Sequence, residues 1–362
     1  MMTLRELRKQ QGLTQAELAE KAGLRQATLS AIENGRSRPH AGTVRALAEV
    51  LNVDIERLQS VVSRAQQDIS GGDMAGVIEQ MGNDWKFLDG LDSDLRAGLV
   101  KSLVAEWTHS STAIEGNTIT AGDTLFVLTE GLTVSGKSLR EHQELHGHAH
   151  ALGLMSAWVR EGKPVRIESL HTLQRAVQTG TVVDSLAPLG AWKVEANGTM
   201  AITTDGTTSW HEYARPGHVV ELVEMWLNSL AQSQRKLGAG LKNGMSDDAI
   251  QSELLNAYTD THLGFVAIHP YADGNGRMAR LLANVPLLRA GYPPLLVSSK
   301  QRREYIALLG DYSIFRGQPW PNEPLVSNGS ERDALHDFFG EQWDETLQLV
   351  EQFHQRQTAR GG

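Results

Sequence analysis

Four short apolar stripes open the chain, each recurring at three- and four-residue spacing: Leu4 and Leu7; Leu18, Ala19 and Ala22; Leu29 and Ile32; Val44, Leu47, Ala48 and Leu51. That period predicts four amphipathic helices, each too short to stand alone, so they must share one small core. The stops between them have chemical reasons. Gly12 precedes the cap-like Thr14, Gly23 lies where a turn needs a positive backbone angle, and Asn34-Gly35 is followed by Pro39. Residues 61–82, with Ser70-Gly71-Gly72, read as a linker with a helix beginning near Met74. A strong helical pattern over 247–268 is opened by Ser246 as cap, with Asp247 and Asp248 in the first turn. The clear strand signal is GAWKVEANGTMAITTDG, where Asn197-Gly198 and Asp205-Gly206 read as turns around alternating short runs. The whole pattern predicts a mostly α protein with one β-hairpin, closed by an amphipathic helix over about 330–358.

At 362 residues and 40% hydrophobic content, the chain can bury a substantial core in each of two domains. No window approaches the roughly 18 apolar residues of a membrane span, and the start MMTLRELRKQ is charged, so a cytoplasmic protein without a membrane partner is expected. The absence of cysteine excludes disulfides, thiolate zinc sites and cysteine nucleophiles. Any metal must sit on oxygen or imidazole. With 43 Asp and Glu against 34 Lys and Arg, the chain is unsuited to coating nucleic acid in bulk. Residues 1–60 nevertheless carry nine Lys and Arg against seven Asp and Glu, which leaves −11 on the rest, so DNA contact is expected only from that segment.

Within those residues, small Ala19 lets two helices cross closely, while Leu29 and Ile32 anchor the helix that then exposes Arg25, Gln26, Ala27, Thr28 and Ala31. Gln15, Gln26 and Thr28 are candidates for hydrogen bonds to DNA, and Arg25, Arg36 and Arg38 for phosphates. The segment TQAELAEKAGLRQATLSAIENGRSRP resembles the Cro/lambda-repressor type of helix-turn-helix, which implies binding as a homodimer to a two-fold operator. A helical protein-docking module is the alternative on the same scaffold.

Chemistry concentrates after the 247–268 helix. Pro270 disfavours helical geometry at His269, so Tyr271 to Gly274 must form a loop, and a second helix starts near Asn275 with Arg277 and Arg280 on one face. A loop opening into a helix is an anion site: backbone N–H groups of Gly274, Asn275 and Gly276 can point inward at the positive end of the helix dipole. Arg277 and Arg280 add charge-assisted bonds to further phosphates. Asp273 is an oxygen ligand at the rim, suited to a Mg²⁺ that bridges phosphate oxygens. His269 is the nearby group able to accept a proton at neutral pH.

The string HPYADGNGRMAR matches the Fic signature H-P-x-x-D-G-N-G-R-x-x-R at all eight fixed positions, and about residues 84–320 resemble that family. The resemblance implies a protein adenylyltransferase that moves AMP from ATP to a Ser, Thr or Tyr hydroxyl. His269 is then the general base, Asp273 the magnesium ligand, Gly274, Asn275 and Gly276 the cradle of the α- and β-phosphates, Arg277 a partner of the β- and Arg280 of the γ-phosphate. Gly276 stands where phosphorylating relatives of the Doc branch carry Lys, which favours nucleotidyl transfer. Tyr305 aligns as an aromatic contact of adenine. Upstream, SSTAIEGN places Ser111 and Glu115 one helical turn apart and resembles the family's N-terminal inhibitory helix, the class II arrangement. Glu115 would pair with Arg280 and occupy the fork the γ-phosphate needs. The strand signal resembles the Fic flap, whose edge would hold an extended segment of a target protein by main-chain bonds.

The expected organisation is therefore a DNA-binding domain at 1–60, a linker at 61–82, a Fic domain at 83–320 with inhibitory helix at about 108–116 and flap at about 190–212, and a helical extension at 321–362. A regulator whose Fic domain senses nucleotide, and an enzyme that removes AMP, are the alternatives. Gly131 to Ser138 satisfies Walker A spacing, but no alternation of strands and helices surrounds it, and the Fic resemblance implies that this stretch is a connection between helices. His142, His146 and His150 recur every four residues and read as a solvated helix face. Pro286 is expected to kink the helix that carries Arg280.

Overall fold

The computed structural model describes residues 4–33, 39, 41–55, 57–58, 76–77, 81, 85–180 and 186–361. The chain divides into two compact units, Met1–Gly72 and Asp73–Gly362. In the first, α1 (Leu4–Gln10), α2 (Gln15–Lys21), α3 (Gln26–Glu33) and α4 (Ala41–Leu51) follow one another. The apolar stripes of all four meet in a single buried cluster. Thr14 caps α2, accepting from the Glu17 N–H while the Glu17 carboxylate accepts from the Thr14 N–H, so two donors at the helix start are satisfied reciprocally. Gly23, at φ +67°, makes the turn into α3. A buried ion pair, Arg8 Nε to Glu33 Oε1 at 2.5 Å, ties α1 to the end of α3. The Asn34-Gly35 turn, Arg36, Arg38, Ser70-Gly71-Gly72 and Met74 lie outside the described residues.

The second unit contains α5 (Ser93–Ile114), α6 (Ala121–Glu130), α7 (Leu139–Arg160), α8 (Ile167–Val177), β1 (Gly198–Ile202), β2 (Thr208–Glu212), α9 (Val219–Lys242), α10 (Asp247–Ile268), α11 (Asn275–Leu282), α12 (Val285–Arg289), α13 (Arg302–Arg316) and α14 (Ser330–Gly361). Helix α10 lies at its centre, packed by α9, α11 and α14, while α5 packs on α6 and α7. Ser246 caps α10 as its sequence suggests, its side chain accepting from the Ala249 N–H. The α9–α10 crossing is close because Gly264 has no side chain: a Cβ there would meet the Trp226 ring at 3.0 Å. Helix α14 buries Leu335, Phe338, Phe339 and Trp343 and shares their core with α10 and α13.

The hairpin pairs Gly198 with Glu212 through Ile202 with Thr208, antiparallel. Asn197-Gly198 is thus the entry to β1 rather than a turn, because the Asn197 side chain is used elsewhere, donating to the Tyr271 carbonyl at 3.1 Å. The reversal comes at 203–207, where Asp205 Oδ1 accepts from the Thr203 hydroxyl and the Thr207 N–H and Gly206 has φ +85°. The hairpin leans on α13: a Cβ at Gly310 would lie 2.1 Å from the Ile202 carbonyl oxygen, and the Asp311 carboxylate accepts from the Thr204 N–H.

Two further expectations fail for identifiable reasons. Pro286 does not kink the helix of Arg280; that helix ends at Leu282, and Pro286 sits in the first turn of the separate α12, where its missing N–H leaves no bond unmade. His142, His146 and His150 do not form a solvated face, since α7 is covered by both α5 and α8. His142 is buried, its Nδ1 2.7 Å from the Ser138 carbonyl and its Nε2 accepting from the Val134 N–H at 2.9 Å, and the other two are half-buried. Among the described residues no group of three or more His, Cys, Asp or Glu is placed to hold a metal. As expected of the Walker-like segment, Gly131–Ser138 joins α6 to α7, and Lys137 is spent on the Thr118 carbonyl and hydroxyl at 2.6 and 2.7 Å. No described helix is long and apolar enough to cross a membrane.

The break between α11 and α12 is held by one buried side chain. Asn284 donates to the Arg280 and Leu295 carbonyls, each at 3.0 Å, and accepts from the Leu295 N–H at 2.6 Å. Removing it strands three buried polar groups, so Asn284→Ala is expected to cost about 2–3 kcal/mol, read as a lowered midpoint in chemical denaturation.

Candidate active site

Helix α10 stops because His269 adopts a left-handed conformation, φ 48° and ψ 59°, in agreement with the proline that follows it. Such a backbone is uncommon for a side chain larger than glycine and persists only where the surroundings hold it. The loop that follows is braced by Asn275. Its amide spans the turn, Oδ1 accepting from the Tyr271 N–H at 2.9 Å and Nδ2 donating to the Tyr271 carbonyl at 2.8 Å. Gly274, at φ 85°, then begins α11 without any side-chain cap. The first N–H groups of α11 are thereby left to a ligand, with the helix dipole behind them. Asp273 lies exposed at the rim, its Oδ1 accepting from the Gly274 N–H at 2.6 Å.

Above this turn passes the end of α5. Arg280, only 3% exposed, donates from Nε to the Ser111 hydroxyl at 3.1 Å and from Nη2 to the Ser111 carbonyl and Glu115 Oε1, both at 2.7 Å. Burial opposes its charge, but the Glu115 carboxylate and the Tyr305 phenol outweigh that and raise its pKa. Glu115 also explains Gly276: a Cβ at that position would fall 2.4 Å from Glu115 Oε1. The carboxylate oxygen thus lies in the space that the glycine leaves open. Arg277 donates from Nη1 to the Val177 carbonyl at 3.1 Å, while its buried Nε has no partner. An orphaned charged donor beside an uncapped helix start fits an anion.

Tyr305 does not present its ring for a base. It is 1% exposed, its hydroxyl 2.8 Å from His262 Nε2 and its ring beneath the Arg280 guanidinium at 5.9 Å. Tyr305 instead supports the arginine, which explains its place without adenine.

Two residues escaped the sequence reading. Tyr213, just after β2, stacks on His269 with ring centroids 3.7 Å apart and planes 8° from parallel. Lys193, just before β1, is 3% exposed and donates from Nζ to the Ile268 carbonyl at 3.2 Å and to Asn197 Oδ1 at 2.5 Å. Neither has a periodic signal, since each lies outside a regular element. Burial brings the Lys193 ammonium down to about 7 and pushes the Tyr213 phenol up to about 12. Burial, and secondarily the Lys193 charge, bring His269 down to about 3. The imidazole is therefore neutral, with a free electron pair, throughout the physiological range.

His262 is likewise lowered to about 3 and His148 well below its ordinary value, in both cases by burial first and Arg280 second. The unfolded chain protonates these rings near pH 6.5 and the folded chain does not, so the unfolded state binds more protons and stability falls as pH drops through that value. Thermal midpoints are expected to fall steadily from pH 6.5 to 5, above the range of ordinary carboxylates. The decline should be shallower in His262→Gln; equal slopes in the two proteins would contradict it.

Comparison with known proteins agrees with this geometry. A helix-turn-helix family model matches residues 4–58 and a Fic/DOC family model residues 201–287. Protein adenylyltransferase fic-1 of Caenorhabditis briggsae is 30% identical over 219 residues, covering 58% of this chain and 38% of that protein. Protein adenylyltransferase Fic of Drosophila persimilis is 30% identical over 204 residues, covering 56% and 34%. The chain thus spans little more than a third of the length of these curated relatives. In fold it resembles a Fic-domain signaling protein of Bacteroides thetaiotaomicron, with TM-score 0.60 and 23% identity over 78% of this chain and 97% of the other. It also resembles Fic-1 of Caenorhabditis elegans, with TM-score 0.54 and 18% identity over 98% and 93%. The Fic/DOC match at residues 201–287, the turn from His269 to Arg280 and the hairpin beside it identify a Fic domain in this chain, with a helix-turn-helix domain matched ahead of it at residues 4–58.

Proposed function

We propose that the chain is a self-inhibited protein adenylyltransferase that moves AMP from ATP to a hydroxyl of a target protein. The observation that carries this reading is the Glu115 carboxylate, seated over Gly276 with its oxygen 2.7 Å from Arg280 Nη2. A negative oxygen already lies where the turn would receive a phosphate. The adenylyltransferase relatives supply the chemistry to which such a cradle belongs.

In this reading the α- and β-phosphates lie over Gly274, Asn275 and Gly276, Arg277 pairs with the β-phosphate and Arg280 with the γ-phosphate. The Asn275 side chain, committed to Tyr271, shapes the cradle and leaves its backbone N–H to the ligand. The target hydroxyl gives its proton to His269, its oxygen attacks the α-phosphorus, and the bond to the β-phosphate oxygen breaks, releasing pyrophosphate. Asp273 at the rim would hold a Mg²⁺, which would supply positive charge to offset the charge that builds on the leaving group. The flap, β1 and β2, offers the edge on which an extended target segment docks.

Glu115 and the γ-phosphate compete for Arg280. Incubation with α-³²P-ATP and magnesium is expected to label protein at least tenfold faster in Glu115→Gly than in the parent, because a misaligned triphosphate costs far more rate than affinity. His269→Ala in that background is expected to abolish labelling. Equal labelling by parent and Glu115→Gly would remove the inhibitory role.

The first unit is read as a DNA-binding module. Arg25, Gln26 and Thr28 are exposed at the start of α3, the position from which a recognition helix meets base edges. Gln15 is partly committed, its Nε2 donating to Glu33 Oε2 at 3.0 Å. In a binding assay with the operator, Arg25→Ala is expected to weaken all sequences alike and reduce the salt slope by about one. Gln26→Ala should instead cost about 1–3 kcal/mol on the preferred sequence alone.

A further inference from the structure

The left-handed turn at His269 is gripped from the flap stem. Three carbonyls of the turn receive donors from it: Ile268 from Lys193 Nζ at 3.2 Å, Pro270 from the Lys193 N–H at 2.9 Å, and Tyr271 from Asn197 Nδ2 at 3.1 Å. Lys193 and Asn197 are joined to each other, Nζ to Oδ1 at 2.5 Å. The other stem of the hairpin meets them, since the Tyr213 N–H donates to the Asn197 carbonyl at 3.1 Å while its ring covers one face of the imidazole. Trp192, beside Lys193, packs on Tyr271 with ring centroids 5.1 Å apart.

We infer that Lys193 is a positioning residue for His269: together with Asn197 it holds the turn in its left-handed form and so keeps the imidazole stacked on Tyr213 and aimed at the incoming hydroxyl. This rests on the adenylyl-transfer reading for the word "aimed", but the grip itself does not. A buried ammonium bonded to a carbonyl and an amide, and not to a carboxylate, is costly to keep. Here it serves the one turn whose backbone would otherwise relax. A relaxed His269 would leave its stacked plane, and displacement of about 1 Å at a reacting group can cost on the order of a hundredfold in rate. The phosphate cradle is braced separately, by Asn275 and Gly274, so nucleotide binding should survive the loss of the grip. Strands β1 and β2 run directly from these stems, so the segment that would receive the target also sets the base.

The test uses the full chain in a Glu115→Gly background, with Lys193→Met and Lys193→Arg compared. Lys193→Met is expected to lower kcat by on the order of 10- to 100-fold while KM for ATP stays within about threefold, and Lys193→Arg to recover most of the loss. Independently of activity, the His269 ring protons are expected to carry the upfield NMR shift of a ring stacked on Tyr213. Lys193→Met should move them toward open-water positions, and Tyr213→Leu should do the same. An unchanged kcat, an equal rise in KM, or unmoved ring protons would overturn the inference. If the Glu115→Gly parent transfers no AMP, the adenylyl-transfer reading falls and the ring-proton shift alone decides the grip. Should Lys193→Met fail to fold, Asn197→Ala removes the bonds to Tyr271 and Lys193 and must show the same kcat loss and shift.

Discussion

A guanidinium sealed from water obliges its neighbours to replace the hydrogen bonds it gave up, and much of the second unit is arranged around that need at Arg280. The last turn of α5 supplies the Ser111 carbonyl and hydroxyl, and Glu115 supplies the opposite charge. Tyr305 lies below as a ring, and His262 and His148 stay neutral nearby because burial and the arginine together disfavour a second positive charge. A charge held this way is committed to one position before any ligand arrives, which is what recognition of a phosphate requires.

In the proposed reading, the same contacts make inhibition and readiness parts of one arrangement. Ser111 belongs to the buried body of α5, whereas the Glu115 side chain is 43% exposed at the helix end. The carboxylate can therefore yield to a competing anion while the serine keeps the guanidinium in place. Gly276 completes the arrangement, because a Cβ there would fall 2.4 Å from the Glu115 carboxylate oxygen. On the far side of the turn, His269 depends on different partners, Tyr213 from one stem of the hairpin and Lys193 from the other. Phosphate cradle and imidazole are thus braced by separate elements that meet at one short loop.

How far the chain could be read without coordinates follows from how local each feature is. The four helices of the first unit, the cap at Ser246, the stop at His269 and the start at Asn275 all depend on residues within a few positions of one another, and they form as their chemistry suggests. The neighbourhood of Ser111, Glu115 and Arg280 was legible as well, through two motifs a long way apart in sequence. Asn197-Gly198 misled because the asparagine's hydrogen bonds go to Lys193 and Tyr271 and not to its own turn. The histidines of α7 misled because a polar stripe signals solvent only when no other helix covers it.

By itself the sequence determined the mostly helical class, the helix-turn-helix scaffold and the make-up of the loop from His269 to Arg280, since each rests on spacing along a few turns of chain. Only the tertiary structure decided that Tyr305 lies beneath Arg280 instead of facing a base, that Gly276 opens onto Glu115, and that Tyr213 stacks on the imidazole while Lys193 bonds the carbonyl just before it. Burial and long-range contact set these outcomes, and neither has a period that a linear pattern can display.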